Sequence, residues 1–261
     1  MQDHKKPHRQ PPQTPSHPTH INTPEEWKEH WRAQGQDWRT EPEISAQRQT
    51  ELTQRRALKP DEEKGIYPFG GVKLDRADIE WLLATHENGR GPVLWSDETQ
   101  HERKGLDLRG ADLRGDETQK LNLEGLPLSQ LIGGNFDSFV STTLNEQAAI
   151  HLEGAHLIGA HLERATFIGA QLEGADLSYA QLEGAHLTRA HLERADLTDI
   201  HLADTHHIGP FFADSQLGGG KYPETSTAFA LKPAHLPRML NIYDPLSENV
   251  ASKADRGDRQ R

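Results

Sequence analysis

The sequence has no cysteine and no long apolar run. The absence of cysteine excludes disulfides, thiolate zinc sites and cysteine nucleophiles, and it fits a reducing compartment. No segment approaches the ~18 consecutive apolar residues that a membrane span needs. Residues 1–20 contain no apolar stretch of the kind found in a signal peptide. We therefore expect a soluble, cytoplasmic protein with no membrane partner.

Basic charge is also scarce. Lysine and arginine number 29 against 40 aspartates and glutamates, and the net charge is -11. Because attraction to phosphate needs a basic surface, we expect no direct binding to nucleic acid. The acidity is compatible with a basic protein partner, although the simpler interpretation is that it keeps the chain soluble. Only 33% of the residues are hydrophobic, which predicts unfolded segments, a thin regular core, or both.

Signatures of catalysis are missing as well. The chain contains no G-x-x-x-x-G-K-[ST], H-E-x-x-H or G-x-S-x-G motif. The run Gly218–Lys221 lacks the strand–loop–helix context of an anion-binding loop, so we interpret it as a simple loop. We predict no catalytic residue, no cofactor and no metal, and hence no enzyme.

The N-terminal part predicts a tail followed by helices. Residues 1–22 hold five prolines among polar residues and are predicted to be disordered. Thr23 begins a capping box with proline at the first helical position, which predicts a helix to about Ala33. The segment 40–43 repeats this start signal, and a second helix is predicted from there to about Leu58.

A third helix is predicted from Arg76 to about His86, opened by Asp75 and Asp78. Residues 23–104 are thus expected to form a small α-rich module that can cap one end of the segment beginning at residue 105. All five tryptophans lie in it, and they are interpreted as packing residues, with an exposed aromatic binding surface as the alternative. If the chain were an enzyme or ligand binder, we would expect its site among Trp81, His86, Glu87, Arg90, Trp95, Asp97 and His101.

Residues 150–204 read in units of five, from IHLEG and AHLIG to ADLTD and IHLAD. Alanine stands two residues before the central apolar residue in nine successive units, Ala155 to Ala195. A helix would spread a period of five around its surface, because 3.6 does not divide five. The period therefore predicts a solenoid, with these central core residues: Leu152, Leu157, Leu162, Phe167, Leu172, Leu177, Leu182, Leu187, Leu192, Leu197 and Leu202.

The geometry within a unit follows from extended backbone. Residues two apart share a face, so the alanine and the leucine point inward and the residue between them points outward. The other two positions should form an outward corner. Glycine recurs at that corner, as a tight turn prefers, in Gly154, Gly159, Gly169, Gly174 and Gly184.

This pattern closely resembles the pentapeptide-repeat family, whose motif is A-(D/N)-L-x-x. The resemblance implies a β-solenoid, a right-handed quadrilateral β-helix in which four units make one coil and residues twenty apart stack at about 4.8 Å. It implies a non-enzymatic protein, and some members of the family mimic DNA and protect topoisomerases. Members also dimerise through the C-terminal end, which the resemblance leaves open for this chain.

Weaker repeats precede the regular block. Leu108, Leu113, Leu123 and Leu128 hold the central place, and Thr118 breaks the pattern. Leu131 and Ile150 are nineteen residues apart, one short of a coil, so 131–149 is expected to be an irregular coil or an excursion, with a short helix over about 144–149.

The predicted β-helix spans 105–205, roughly five coils. A C-terminal cap is expected at 206–248 and a disordered tail at 249–261.

Outward acidic residues form ladders when the chain is wound at twenty residues per coil. Metal binding by the His-x-Glu pairs is not expected, because open, flat ladders lack converging ligands. We expect an interaction or scaffold protein that binds another protein, with a DNA-mimicking topoisomerase binder and an enzyme or ligand binder as alternatives. The candidate interaction surface is Glu153, Glu173, Glu193, Glu163, Glu183, Asp176 and Asp196.

Overall fold

The structure is a computed structural model, and it describes residues 21, 23–116, 118–135, 142–203 and 205. The tail predicted at residues 1–22 (apart from Ile21), the cap at 206–248 and the tail at 249–261 lie outside the described residues. None of the described helices is long and apolar enough to cross a bilayer.

Helix α1 (Pro24–Arg32) begins as the sequence predicts. The Thr23 hydroxyl accepts a hydrogen bond from the Glu26 N–H, and the Glu26 carboxylate accepts one from the Thr23 N–H. This reciprocal pair satisfies two backbone donors that a helix start leaves open. The inner face of α1 buries Trp27 and Trp31, whose rings stack with centroids 5.6 Å apart.

Helix α2 (Ala46–Arg56) begins later than predicted. Ser45, rather than Thr40, caps it by accepting a hydrogen bond from the Arg48 N–H. The backbone N–H groups of Thr40 and Glu41 instead donate to the carboxylate of Glu80, at 2.9 to 3.0 Å. The tertiary contact thus satisfies the donors that a local helix start would have used.

Helix α3 (Arg76–Ala84) carries the capping box of Asp75 and Asp78 that the sequence predicts. It ends at Ala84, two residues before the predicted end at about His86. A separate short α4 (His86–Gly89) follows, in which Glu87 and Asn88 adopt left-handed backbone angles. A 3-10 turn follows at Glu98–Gln100. Helix α5 (Thr142–Ala148) begins two residues before the predicted segment.

The remainder is a solenoid built from parallel bridges between successive coils. In the described part each bridge joins single residues rather than longer strands. From His151 onward, bridged residues lie twenty apart, so four units make one coil. The bridged residues form four columns: first, Lys73, Asp112, His151, Gln171 and His191; second, Asn122, His156, Asp176 and Asp196; third, Pro127, His161, Gln181 and His201; fourth, Asp107, Ile132, Thr166 and His186.

Three backbone hydrogen bonds join each regular unit, as far as residue 184, to the next coil. On the first column, the Leu152 N–H donates to the Gln171 carbonyl, the Gln171 N–H to the Ile150 carbonyl, and the Gly154 N–H to the Glu173 carbonyl, at 2.8 to 3.0 Å. These hydrogen bonds add to the stabilisation from a narrow core, which holds one central apolar residue per unit and, in most units, one small residue. All eleven central residues are 3% exposed or less, and Ala155, with the alanines that follow at five-residue spacing as far as Ala195, is fully buried.

The corners of the regular units are β-turns with a left-handed third residue. In the first regular unit the Ala155 N–H donates to the Leu152 carbonyl at 2.9 Å, and Gly154 has φ 71°. This is the type II arrangement, which favours glycine. Five units place another residue there with φ of 53 to 60°: Arg164, Tyr179, Arg189, Arg194 and Asp199.

Two irregular stretches separate rungs that lie on successive faces. Asp112 and Asn122 occupy successive columns, so the loop between them adds residues without adding a face. Ile132 and His151 also occupy successive columns although nineteen residues separate them, so this excursion inserts extra residues between two rungs of the repeat. Gly133 and Ile150 still bond to the coil, because the Gly133 N–H donates to the Thr166 carbonyl and the Ile150 carbonyl accepts from the Gln171 N–H. Within 105–205 each column therefore holds four rungs, and the expected five coils are reduced to four.

The helical module joins the first coil directly. Lys73 bridges Asp112 and so adds one more rung to the first column. Arg76 of α3 donates to the backbone carbonyls of Asn122 and Glu124 at 3.1 and 3.3 Å. Ile79 is fully buried beside the leucine interior. The module thus covers the apolar cross-section that an open solenoid end would expose.

Candidate functional site

The predicted acidic ladder lies beside the first column. Glu153, Glu173 and Glu193 each follow a buried leucine, and their side chains are 26 to 30% exposed. Glu183 takes the same position on the third column with 33% exposure. Inter-coil hydrogen bonds set the spacing between rungs, so these four carboxylates stand at fixed intervals.

Histidines flank these carboxylates. His151 Nδ1 lies 3.3 Å from Glu153 Oε1, and His201 Nδ1 lies 3.3 Å from Glu183 Oε1. The first pair lies within one unit, because residues on either side of an inward leucine share the outer face. The second pair joins neighbouring coils. The unit of His201 has Ala203 at the glutamate position, so His201 contacts Glu183 of the preceding coil instead.

Glu163 does not belong to the accessible surface. Its side chain is 6% exposed, and its Oε2 accepts a 2.8 Å hydrogen bond from the Ser129 hydroxyl. Burial raises its pKa, but hydrogen bonds from His161, its own backbone N–H and Ser129 outweigh burial and lower the pKa overall. The hydrogen bond to Glu163 in turn raises the pKa of His161, against the opposite effect of burial. Glu163 is therefore a structural group that joins two coils.

The aspartates of the second column are engaged locally. Asp176 Oδ1 accepts hydrogen bonds from the Ser178 N–H at 3.0 Å and from its hydroxyl at 2.6 Å. Asp196 Oδ1 accepts one from the Thr198 N–H at 2.9 Å. Both residues remain half-buried.

Four of the ladder glutamates share an unusual feature. One carboxylate oxygen of each is buried and has no hydrogen-bond partner among the described residues. A buried charged oxygen without a partner is costly, since neither water nor protein replaces its solvation. The atoms are Oε2 of Glu153, Glu173, Glu183 and Glu193.

Three potential metal ligands converge at one point of the first column. One atom each from Glu173, His191 and Glu193 lies within 4.8 Å of the others. The sequence predicted flat ladders with no converging ligands. The structure differs because His191 sits between two rungs, with Nδ1 3.6 Å from Glu193 Oε1 and 4.0 Å from Glu173 Oε1.

The residues proposed for a site in the helical module mostly support its structure. Glu87 accepts a 2.7 Å hydrogen bond from Arg103, which also binds the Gly91 and Pro92 carbonyls. Trp81 is buried. His86 contacts the Lys104 carbonyl, Arg90 pairs with Glu87, and Asp97 caps the 3-10 turn. Arg103, which the sequence interpretation missed, organises this network, and nothing local in the sequence distinguishes it.

A small cavity lies where the module meets the third column. Trp38, Trp95, Pro127 and His161 are among its lining residues, and its volume is about 320 Å³. Of the predicted cluster only Trp95 lines this cavity, and its ring stacks on that of His101 with centroids 3.7 Å apart. A wider groove of about 790 Å³ lies beside α1 and the loop 115–125, with acidic and basic lining residues mixed.

Residues 149–178 and 175–199 match the sequence profile described as Pentapeptide repeats, with eight copies. These residues are pentapeptide repeats, as the A-x-L-x-x spacing indicated. Comparison with curated protein sequences finds no match.

Solved structures of pentapeptide-repeat proteins are also similar. One from the Arabidopsis thaliana thylakoid lumen is 28% identical, with 42% of this chain and 59% of that chain covered and a TM-score of 0.27. HetL from the cyanobacterium Nostoc, involved in heterocyst differentiation regulation, is 24% identical, with 43% and 45% covered and a TM-score of 0.22. QnrB1, a plasmid-mediated fluoroquinolone resistance protein, is 21% identical, with 46% and 58% covered and a TM-score of 0.18. The chain spans less than two thirds of each of these three.

Proposed function

We propose that this pentapeptide-repeat chain is a non-enzymatic protein-interaction or scaffold protein whose rod presents acidic side chains to a basic surface of a partner protein. We also propose that the solenoid is a right-handed quadrilateral β-helix. The four columns and the twenty-residue spacing support this proposal. We also propose a cytoplasmic location. Dimerisation through the C-terminal end stays a proposal, because residues 206–261 lie outside the described part.

The observation that carries the proposal is the fixed spacing of half-exposed carboxylates on a hydrogen-bonded frame. Glu173 and Glu193 stand one coil apart on the first column, and Glu183 stands on the third. A frame that is already ordered loses little entropy on binding, so its charges can be matched efficiently by a partner. Such complementarity mainly supports specificity and association rate.

The surface acting in this proposal is smaller than the sequence suggested. Glu163 is buried against Ser129, so it is excluded from it. Glu153 lies 4.0 Å from the Arg114 guanidinium, which offsets part of its charge. Glu173 and Glu193 on the first column remain the principal acidic contacts of one face, with Asp176 and Asp196 on the adjoining second column. Glu183 is the acidic contact of the third column.

Affinity capture with mass spectrometry tests the proposal. Wild-type protein is compared with the double variant Glu173→Lys/Glu183→Lys and with the conservative variant Glu173→Gln/Glu183→Gln. A partner held by the acidic surface is retained by wild type, weakened by the glutamines, lost with the lysines, and released by salt. Retention of the same partners by the lysine variant contradicts the proposal.

A DNA-mimicking topoisomerase binder is the narrower alternative, and the evenly spaced carboxylates favour it. The exposed corner residues Arg189 and Arg194 oppose it, because they interrupt the negative surface. A gyrase supercoiling assay, with and without a quinolone, separates the alternatives. Unchanged supercoiling and unchanged quinolone sensitivity in the presence of the protein rule out this version.

A ligand binder is the second alternative, and the cavity at Trp38 and Trp95 is the observation in its favour. Its volume of about 320 Å³ is at the small end of ligand sites. Tryptophan fluorescence during titration with a small-molecule library tests it, with Trp95→Phe as the variant in which any response should decrease. No response in wild type removes this alternative.

A further inference from the structure

We infer that Glu173, His191 and Glu193 form a binding site for a divalent transition-metal ion, and that Zn²⁺ is the ion their donors suit best. This inference goes beyond the proposed function and does not rest on it. The site requires no partner protein, only three side chains of one rod.

Backbone geometry brings the three donors together. His191 and Glu193 flank the inward Leu192, so both point to the same outer face. Glu173 takes the same position as Glu193 one coil earlier, and two backbone hydrogen bonds hold the coils in register there: the His191 N–H donates to the Ala170 carbonyl at 2.9 Å, and the Gly174 N–H to the Glu193 carbonyl at 2.8 Å. Convergence therefore follows from the solenoid itself.

The distances approach those of a metal's ligand shell. Zinc bonds of about 2.0 to 2.2 Å in tetrahedral geometry place neighbouring ligand atoms about 3.4 Å apart. His191 Nδ1 lies 3.6 Å from Glu193 Oε1 and 4.0 Å from Glu173 Oε1. Small rotations of the two glutamate side chains bring all three atoms within bonding distance of one ion, and water can complete the shell.

The charges at this position also favour a cation. Oε2 of Glu173 and Oε2 of Glu193 are buried and have no hydrogen-bond partner among the described residues, a feature that Glu153 and Glu183 share. Two stacked carboxylates repel each other, and partial burial strengthens that repulsion. A divalent ion beside the Oε1 atoms that face His191 offsets both negative charges.

Neighbouring positions of the rod lack one part of this arrangement. Two coils before, Arg114 takes the place of the lower glutamate and lies 4.0 Å from Glu153. One coil before, Gln171 replaces the histidine. On the third column, His201 pairs with Glu183 at 3.3 Å, but Ala203 replaces the second carboxylate. Within the described part of the chain the set of one histidine and two glutamates occurs here alone.

The donor set favours zinc over harder ions. Imidazole suits zinc, copper and nickel, whereas calcium and magnesium require shells of six or more oxygens. One imidazole and two carboxylates, with no thiolate, predict moderate affinity.

Isothermal titration of the full-length protein with Zn²⁺ tests the site. Two loss variants use residues that the same rod already tolerates: His191→Gln copies Gln171 of the same column, and Glu193→Ala copies Ala203 of the third column. Each should remove one equivalent of bound Zn²⁺ or weaken it at least ~10-fold. Circular dichroism melts verify that the fold is kept.

Controls address the other histidines of the chain. His201→Gln removes a histidine that pairs with a single glutamate and should leave the titration unchanged. Ala203→Glu completes the same set on the third column, around Glu183 and His201, and should add one equivalent. Ca²⁺ and Mg²⁺ should not compete with Zn²⁺.

Three results overturn the inference: no measurable Zn²⁺ binding, equal binding by wild type and both loss variants, or equal loss in His201→Gln. Because the titration contains no partner protein, its failure leaves the proposed interaction function untouched. Failure to capture a partner likewise leaves the metal site standing.

Discussion

Ser129 and Glu163 share a 2.8 Å hydrogen bond although 34 residues separate them. They are neighbours on the third column, where regular repeats would place residues only twenty apart. The extra residues between the rungs at Ile132 and His151 account for the longer separation. The contact shows that the coils on either side of this excursion are in register.

Replacement of Glu163 by glutamine should destabilise the rod by about 1.5–3 kcal/mol. The change removes the charged acceptor of Ser129 and His161 from a side chain that is 6% exposed. Urea denaturation of the full chain measures it. Glu183→Gln is the matched control, because that glutamate is 33% exposed, and it should cost less than about 0.5 kcal/mol. Equal losses in the two variants would contradict this account of burial.

The stability difference between wild type and Glu163→Gln should depend on pH. The pKa of Glu163 is lowered on folding, so its contribution is present above the ordinary value of 4.5 and is lost as the pH falls through the folded value. The pKa of His161 is raised on folding, so its contribution is present below 6.5 and is lost as the pH rises through the folded value.

The difference should therefore be largest at about pH 5–6 and smaller at about pH 3 and about pH 8.5. At high pH the hydrogen bond from Ser129 remains, so part of the difference persists there. Urea midpoints at the three pH values provide the measurement. A difference that does not vary with pH would show that the two groups do not interact as an ion pair.

Tyr179→Gly should stabilise the protein by about 0.5–1 kcal/mol. The backbone of Tyr179 has φ 59°, in the left-handed region. The residue is 59% exposed, so its removal costs little packing. Relief of a left-handed residue is worth about 1–2 kcal/mol, and the added freedom of glycine in the unfolded chain offsets part of it. The midpoint of thermal unfolding should rise.

Gly159→Ala is the matched reverse change, at the same corner one coil earlier. A Cβ added there meets no atom within 4 Å, so only the backbone with φ 61° opposes it. Its unfolding midpoint should fall by a similar amount. A fall in both variants would contradict the explanation by backbone strain.

Glu80→Gln should cost about 3–5 kcal/mol, because it breaks a buried charge pair. Glu80 is fully buried, accepts hydrogen bonds from Thr40 and Glu41, and pairs with Arg76 at 2.8 Å. Urea denaturation measures the loss. Glu51→Gln, in a pair whose glutamate is 47% exposed, is the control and should change stability by less than about 1 kcal/mol. A small effect at Glu80 would show that its partners reorganise.

Part of the site follows from the sequence and part does not. The alternation of residues about each leucine correctly placed Glu153, Glu173 and Glu193 on one outer ladder. Nothing within a five-residue unit shows that Glu163 is buried, because Ser129 lies across the excursion. The convergence of His191 with Glu173 was missed for a related reason, since rotamers decide whether side chains on neighbouring rungs meet.

The sequence by itself determined the repeating core, the corner glycines and the starts of α1 and α3. Each of these depends on residues at most five apart, so local periodicity and capping are sufficient. Only the tertiary structure decided three other features: the four rungs that each column holds within 105–205, the register of the coils on either side of the excursion, and the hydrogen bonds from Thr40 to Glu80. Those features depend on which distant backbone and side-chain groups satisfy one another. A period of five residues is therefore enough to specify the solenoid. The chemistry of its surface depends on the register between coils, which brings distant residues together.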